Sequence, residues 1–198
     1  MSFKKNKYVV VKNAITKELA LFIYNYFSLK KQVAKTLFSS TYISPFETMF
    51  GVWNDLQIPK TYSHYADVAM ETLLLKVQPI VEKKTGLKLY PNYSYARSYK
   101  KGDILKKHKD RFSCEISTTM NLGGDLWSIY LDNIKINLKA GDMVIYKGNE
   151  LEHWRNEFKG EECTQVFLHY NDAKTKNANQ NMFDSRNHLG LPVAFKKL

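Results

Sequence analysis

The spacing of apolar residues changes near residue 87, and this change limits the folds that the chain can adopt. Before it, residues 15–35 and 60–86 carry apolar side chains at helical spacing. After it, short alternating segments rich in β-branched and aromatic residues follow one another, separated by turns that contain Gly, Asn or Asp. Helices followed by short strands predict an α+β chain, with helices packed outside a sandwich or jelly-roll core.

The two predicted helices have sequence signals at their ends. Thr16 is the expected N-cap of the first helix, and Gly86 is the expected stop of the second. Pro79 lies inside the second helix and is expected to kink it. Residues 38–55 form a long loop between the helices, and loops of that length are often functional. The aromatic side chains of interest in this loop are Tyr42, Phe46, Phe50 and Trp53.

The remaining chain is predicted to be mostly strand. Six segments have strand character: residues 93–99, 114–122, 126–131, 134–138, 142–146 and 163–170. No repeat or low-complexity linker divides the sequence, so we expect one domain over residues 1–198. Its expected parts are a helical support at about 1–86, a jelly-roll core at about 87–172 and a C-terminal tail at 173–198.

Composition narrows the class of protein and its surroundings. With 198 residues, 44% of them hydrophobic, the chain is expected to fold as a globule. No apolar run approaches the length of a membrane span and no signal peptide is recognised, so no membrane partner is expected. The two cysteines do not form a disulfide framework, which favours a reduced, cytoplasmic location.

The net charge of +11 raises the alternative of a nucleic-acid partner. Its lysines are spread along the whole chain, however, and the sequence contains no arginine-rich run and no zinc-finger spacing. Scattered basic charge of this kind is more typical of a solvated surface. Nucleic acid therefore stays a possible partner that the sequence does not favour.

A histidine and an aspartate two residues apart, His108 and Asp110, follow a turn-like segment. In an extended strand such residues point to the same face. Two ligands of this kind and a distant histidine form the facial triad that binds iron(II) in non-heme oxygenases. Among the other histidines, only His153 lies at a predicted strand start soon after a hairpin, where a third ligand could come from the opposite edge of a β core.

Four segments together resemble the prolyl 4-hydroxylase-like branch of the 2-oxoglutarate- and iron(II)-dependent oxygenases. They are "YKKGDILKKHKD", "EISTTMNL", "LKAGDMVIY" and "LEHWR". The resemblance covers about residues 95–170 and implies a double-stranded β-helix, which is a jelly roll. It also implies that His108, Asp110 and His153 bind the iron.

The resemblance further implies a 2-oxoglutarate site. The family has a tyrosine nine residues before the first iron histidine, and Tyr99 stands at that position. The family's basic residue for the distal carboxylate is expected on the last strand, where this chain has Cys163, Thr164 and Gln165.

A dianionic ligand in a water-poor pocket needs a cation, and a guanidinium is preferred. Arg155 shares a face with His153 if that segment is extended, and we expect it to replace the missing cation. Arg97, which shares a face with Tyr99, is the second choice. Thr119 and Asn121 are expected to add hydrogen bonds to the cosubstrate.

The activity implied is hydroxylation of a C–H bond coupled to decarboxylation of 2-oxoglutarate, with Fe(II) and O₂ consumed in the same cycle and ascorbate as reductant. Peptidyl proline is the family-typical substrate, so a peptide or protein partner is expected. The loop 38–55 is a candidate lid. Candidate substrate or lid residues are Arg97, Tyr95, Trp53 and Phe50.

Two other functions stay open. One is a nucleic-acid-binding or base-demethylating oxygenase on the same core, although no pair of spaced arginines follows His153. The other is a non-catalytic basic β-sandwich that binds a partner, in which the histidines and aspartate are incidental. The sequence does not specify the substrate or the oligomeric state.

Overall fold

Two antiparallel sheets and the helices beside them make up the fold, which the computed structural model describes over residues 3–197. Within that range the helices are α1 (Phe3–Asn6), α2 (Lys17–Ser39) and α3 (Val68–Thr85). The strands are β1 (Tyr8–Val11), β2 (Tyr62–Tyr65), β3 (Leu89–Lys100), β4 (Leu105–His108), β5 (Ile116–Gly124), β6 (Ile129–Leu131), β7 (Ile134–Ile136), β8 (Met143–Lys147), β9 (His153–Arg155) and β10 (Glu162–Asp172).

Helix α2 begins where the sequence predicts and packs against the large sheet. The Thr16 side chain accepts a hydrogen bond from the backbone N–H of Leu19, which caps the helix. The helix lies on strand β5. Close approach depends on Gly123, because a Cβ there would lie 2.8 Å from Cγ of Tyr24. Its buried face consists of Ala20, Ile23, Phe27 and Ala34.

Helix α3 ends at Gly86 as predicted, but the prediction that it starts at residue 60 is wrong. It begins at Val68, capped by the Asp67 carboxylate, which accepts from the backbone N–H groups of Ala69 and Met70. Residues Tyr62–Tyr65 instead form strand β2, which pairs with β3. Helix α3 does not extend back over residues 62–65, because Asp67 caps its first turn. Those residues pair with β3 instead, despite their helical spacing. Pro79 lies inside α3, and the expected kink stays a prediction.

The larger sheet has the strand order β1-β8-β5-β10-β3-β2 and the smaller one β4-β9-β6-β7. All pairings in both sheets are antiparallel. All six segments predicted as strands contain one. The part of the chain expected to be a helical support also contributes β1 and β2, which form the two edges of the larger sheet. The observed class is therefore α+β with two antiparallel sheets.

Three groups of buried apolar side chains hold these layers together. The largest lies between the helices and the larger sheet and includes Phe27, Leu74 and Met120. A second group contains Tyr146 and Ile129, and a third contains Tyr99 and Leu105. The cavity described below is bordered by members of both smaller groups. The polar site thus lies between two apolar supports.

Residues 173–197 fold back onto the body of the protein. The 3-10 segment Ala178–Ser185 packs against β3 and β10, and a second one spans Val193–Phe195. A buried ion pair between Arg186 and Glu71, with 2.7 Å between Nη2 and Oε1, fixes this tail to helix α3. In the part of the chain that the structure describes, no helix has both the length and the apolarity needed to cross a membrane.

Candidate metal centre and cosubstrate pocket

Strands β4 and β9 bring the three predicted metal ligands together. His108 is the last residue of β4 and His153 is the first of β9, and the two residues are direct partners across the antiparallel pair. Their ring centroids are 4.2 Å apart. Asp110 follows β4, and one ligand atom from each of the three residues lies within 4.8 Å of the other two.

Hydrogen bonds fix how both imidazoles present their nitrogens. His108 Nδ1 lies 2.8 Å from the carbonyl oxygen of Lys106, and His153 Nδ1 lies 3.0 Å from that of Leu151. A carbonyl only accepts, so each Nδ1 carries the hydrogen and each Nε2 has a lone pair. The lone pair of His108 Nε2 faces the Gln57 amide nitrogen at 3.3 Å. Asp110 Oδ1 lies 3.8 Å from His108 Nε2 and 3.4 Å from His153 Nε2. Three atoms that can serve as ligands therefore converge.

The side chains of Ser117 and His169 form a hydrogen-bonded chain that ends at the Asp110 carboxylate. Ser117 Oγ donates to Asp110 Oδ2 over 2.6 Å and lies 3.0 Å from His169 Nδ1. The Asp110 backbone N–H donates to the carbonyl of Gly148. Only glycine fits at residue 148, because a Cβ there would collide with Asp110 Oδ2. The carboxylate orientation is thus set by β5, β10 and the turn after β8.

The pKa values of Asp110 and His108 are shifted toward the protonation states that a divalent cation requires. Burial alone would raise the pKa of Asp110, but contacts with His153, His169 and Ser117 lower it to about 2. Burial, followed by the neighbouring His153, lowers the pKa of His108. At neutral pH the site therefore presents a carboxylate together with an uncharged His108 imidazole.

A cavity of about 370 Å³ opens beside these ligands, within the size range of small-ligand sites. Strand β3 forms one wall through four alternate side chains, Tyr93, Tyr95, Arg97 and Tyr99. Tyr99 and the three side chains beside it thus face the cavity, and the role of Tyr99 at the cosubstrate stays a prediction. The other cavity residues are Asp55, Gln57, Leu105, His108, Lys109, Asp110, Arg111, Cys114, Ile129, Tyr146, His153, Phe167 and His169.

Arg155 is a buried cation without a carboxylate partner in residues 3–197. Its side chain is 1% exposed and donates to the carbonyl of Trp127 and, over 3.3 Å, to Gln165 Oε1. Its Nε has no hydrogen-bond partner in the described chain, nor has the hydroxyl of Tyr99. Burial lowers the pKa of the Arg155 guanidinium, with Tyr99 as its nearest opposing group. Arg155 lies behind the cavity lining and stacks on Trp127.

Arg97, the second choice for the same role, already has a partner. Its Nη2 lies 2.7 Å from Asp55 Oδ2, and its Nη1 donates to Gln57. Tyr95 also donates to Asp55. Arg97 and Tyr95 therefore face the cavity, as expected for substrate or lid residues, and connect β3 to the loop after α2.

Other predicted site residues lie elsewhere or at the margin. Asn121 does not face the cavity: its side chain donates to the carbonyl of Leu138, because the turn before β8 folds over this end of β5. Thr119 is fully buried, and its hydroxyl has no partner in the described chain, although it does not line the cavity. Phe50 and Trp53 pack against the main core rather than over the cavity.

The loop residues that do reach the cavity are Asp55 and Gln57. Sequence reasoning also missed Ser117 and His169, which support Asp110. They are cross-strand partners on β5 and β10. Their proximity depends on strand register, for which the sequence carries no local signal. The only hint was a histidine on the last strand.

Structural comparison identifies proteins with a similar fold. A prolyl-4-hydroxylase from Pseudomonas putida superposes with a TM-score of 0.56 at 14% identity, covering 86% of this chain and 95% of that one. A viral collagen prolyl hydroxylase from Paramecium bursaria Chlorella virus-1, in complex with 2-oxoglutarate, gives 0.59 at 11% identity, covering 84% and 97%. HygX from Streptomyces hygroscopicus, with nickel, 2-oxoglutarate and hygromycin B bound, gives 0.60 at 12% identity, covering 87% and 85%.

The chain shares the fold of 2-oxoglutarate/Fe(II) oxygenases. The resemblance noted in the sequence is thus confirmed at the level of the fold. No family model matches the sequence, and no curated protein is significantly similar to it.

Proposed function

We propose that the protein is a 2-oxoglutarate- and Fe(II)-dependent dioxygenase that hydroxylates a C–H bond. The observation that carries this proposal is the convergence of His108 Nε2, His153 Nε2 and Asp110 Oδ1 at one wall of a cavity. Two neutral imidazoles and one carboxylate are the ligand set that suits non-heme iron(II). When bound, iron and 2-oxoglutarate supply the oxidation, which consumes O₂ and releases succinate and CO₂.

The strand order supports the finer description of the core as a double-stranded β-helix. Strands β8-β5-β10-β3 form one face and β4-β9-β6-β7 the other, so strands that follow each other in the chain mostly lie on opposite faces. The candidate ligands lie on the smaller sheet and point toward the larger one. We propose that residues 1–198 form one catalytic domain of this type.

Arg155 is proposed to bind the distal carboxylate of 2-oxoglutarate. A buried guanidinium without a counter-ion is costly, and an anionic ligand would remove that cost. Tyr99 lies at the cavity wall beside it, and its unpartnered hydroxyl is proposed to donate to the same ligand. Arg97 is less suitable, because Asp55 already neutralises it.

The substrate is proposed to be a peptide or protein, with peptidyl proline as the first residue to test. Two of the structural neighbours are prolyl hydroxylases, which supports that choice. Ascorbate is proposed as reductant and the cytoplasm as location, the latter because Cys114 and Cys163 are unpaired. No cavity residue arrangement favours a nucleic-acid substrate over a peptide.

Formation of succinate from 2-oxoglutarate tests the proposal. We expect the wild-type protein with Fe(II) and ascorbate to form succinate, and Asp110→Ala to lose that activity because it lacks the anionic ligand. Glu157→Ala is the matched control, since Glu157 is an exposed carboxylate paired with Lys159. Equal succinate formation in both variants would overturn Asp110 as an iron ligand. No succinate from the wild type would overturn the proposed activity and favour a non-catalytic binding protein.

A further inference from the structure

A second cavity, of about 430 Å³, opens directly from the candidate active site. The two cavities share Tyr93, Tyr95 and Arg111, so they form one continuous groove. One wall is the loop at residues 45–54 and the other is the tail at residues 192–196. A substrate whose reacting atom lies near the metal ligands would extend into this second part, which we call the outer groove.

The tail wall of the outer groove is firmly anchored. Arg186 pairs with Glu71, and both side chains are buried. Arg186 also donates to the carbonyl of Leu191 over 2.6 Å and to that of Asn92 over 3.1 Å. The backbone N–H of Gly190 donates to Glu71. Residues 192–196 thus extend from a fixed base and can serve as a recognition surface.

The charged residues that line the outer groove are both cationic: Arg111 and Lys196. Behind them lies the nearly buried Asp184, whose carboxylate is 3.2 Å from Arg111 Nη2 and 2.6 Å from Lys196 Nζ. Tyr65 also donates to this carboxylate. Two cations thus share one carboxylate, and one positive charge is left in excess at the groove surface.

Apolar side chains flank this charge. Phe46 on the loop is 89% exposed and Val193 on the tail is 45% exposed, and both line the outer groove. Prolines at 45 and 192 stiffen the two walls. Exposed apolar walls with a cationic centre suit an extended peptide that carries an acidic side chain. A nucleic-acid strand would need a longer run of cations than these two.

We propose that the outer groove selects peptides with an acidic residue on one side of the hydroxylated residue, and that Lys196 binds this acidic side chain. The inference rests on the proposed hydroxylase function and adds a substrate class and a specificity-determining residue to it. Lys196 Nζ pairs with Asp184 and would exchange this partner for a substrate carboxylate, whereas the Arg111 guanidinium is stacked on Tyr93.

A random heptapeptide library without Cys or Met tests this. The library is incubated with protein, Fe(II), 2-oxoglutarate and ascorbate, and peptides that gain one oxygen are sequenced by mass spectrometry. For the wild type we expect about fivefold enrichment of Asp or Glu at one fixed position, the ratio that a partly exposed ion pair supports. Lys196→Glu should change the preference at that position to Lys or Arg, and Lys196→Gln should remove the preference.

Lys197→Glu is the matched control, since it makes the same change in charge at an exposed neighbour outside the groove lining. It should keep the acidic preference. Oxygenated peptides without acidic enrichment, or an acidic preference that persists in Lys196→Glu, would overturn the inference and leave the hydroxylase function standing. Oxygenation of single-stranded oligonucleotides in place of peptides would also overturn it. No succinate in any reaction would overturn the underlying function itself.

Discussion

Arg155 is unusual as a single residue, because a fully buried guanidinium normally has an acidic partner. Within residues 3–197 it has the carbonyl of Trp127 and the amide oxygen of Gln165 instead. Gln165 lies on the last strand, in the region where the related family is expected to carry its cation. In this chain the buried cation lies on β9, in the smaller sheet, and Gln165 on β10 is a neutral partner for it.

Replacing Arg155 by methionine should separate ligand binding from stability. We expect 2-oxoglutarate binding to weaken by roughly 2–5 kcal/mol, as for one partner of a buried charge pair. The free energy of unfolding of the ligand-free protein should stay equal or rise, because an unpaired buried charge is removed. Calorimetry and urea denaturation measure the two quantities. Arg155→Lys should recover little binding, since an ammonium lacks the two-pronged contact.

A purely structural Arg155 would give the opposite pattern. In that case the methionine variant would unfold more easily and would bind 2-oxoglutarate as tightly as the wild type. Arg97 would then be the next candidate among the cations that line the cavity, despite its contact with Asp55.

Ser117 is predicted to support the metal through Asp110. Ser117→Ala should weaken Mn(II) binding about 10- to 100-fold, the usual effect of losing a hydrogen bond to a ligating carboxylate. Ser117→Thr keeps a hydroxyl and should recover most of the affinity. Ser128→Ala is the control, since Ser128 is exposed and bonds only to Asn137. Titration with Mn(II) measures the affinity. An unchanged affinity in Ser117→Ala would show that Ser117 does not support the metal site.

The sequence predicted the three candidate metal ligands but not the side chains that hold Asp110, for a physical reason. His108 and Asp110 lie two residues apart, so the local alternation of a strand predicts that they share a face. Ser117 and His169 come together only through the pairing of β5 with β10. A shift of one residue in that register would turn His169 to the other face of the sheet and separate it from Ser117.

At the level of elements, the buried ion pair between Arg186 and Glu71 anchors the tail after β10. Arg186→Met leaves Glu71 buried without its partner and should cost roughly 3–5 kcal/mol of unfolding free energy. Glu71→Gln combined with Arg186→Met removes both charges and should recover much of that loss. Urea denaturation of the single and double variants measures the coupling between the two residues.

Protease digestion then locates the effect of the Arg186 change. Cleavage after residue 173 should become faster in Arg186→Met, because the tail loses its anchor on α3. If the single variant is as stable as the wild type, the tail is not held by this pair, and the outer groove lacks a fixed wall.

Helix α2 and the strands after residue 87 were predictable as elements because their periodicity is local. Strand β2 was not, because "TYSHY" is short and lies directly before a real helix start. Pairing with β3 gives β2 its hydrogen bonds, and the Asp67 cap separates it from α3. Strand β1 is a similar case: four apolar residues gain a strand structure through pairing with β8.

At the scale of the whole molecule, the two sheets and the tail surround one continuous groove. The smaller sheet supplies the histidines, the larger sheet supplies the tyrosine row of β3, and the loop and tail form the outer walls. The sequence predicted the strand-rich core and the three candidate metal ligands. It did not predict the tail wall, because the anchoring pair joins residues 71 and 186, which are far apart in the chain.

The most direct test of the account is an anaerobic calorimetric titration with Mn(II), followed by 2-oxoglutarate. We predict one Mn(II) bound per chain in the wild type, and 2-oxoglutarate binding that is strong only after the metal has bound. Asp110→Ala and His153→Ala should each lose most of the metal affinity and, with it, the 2-oxoglutarate binding. Metal affinity that is unchanged in both variants would contradict the account, because the three converging ligands would then not be the metal site.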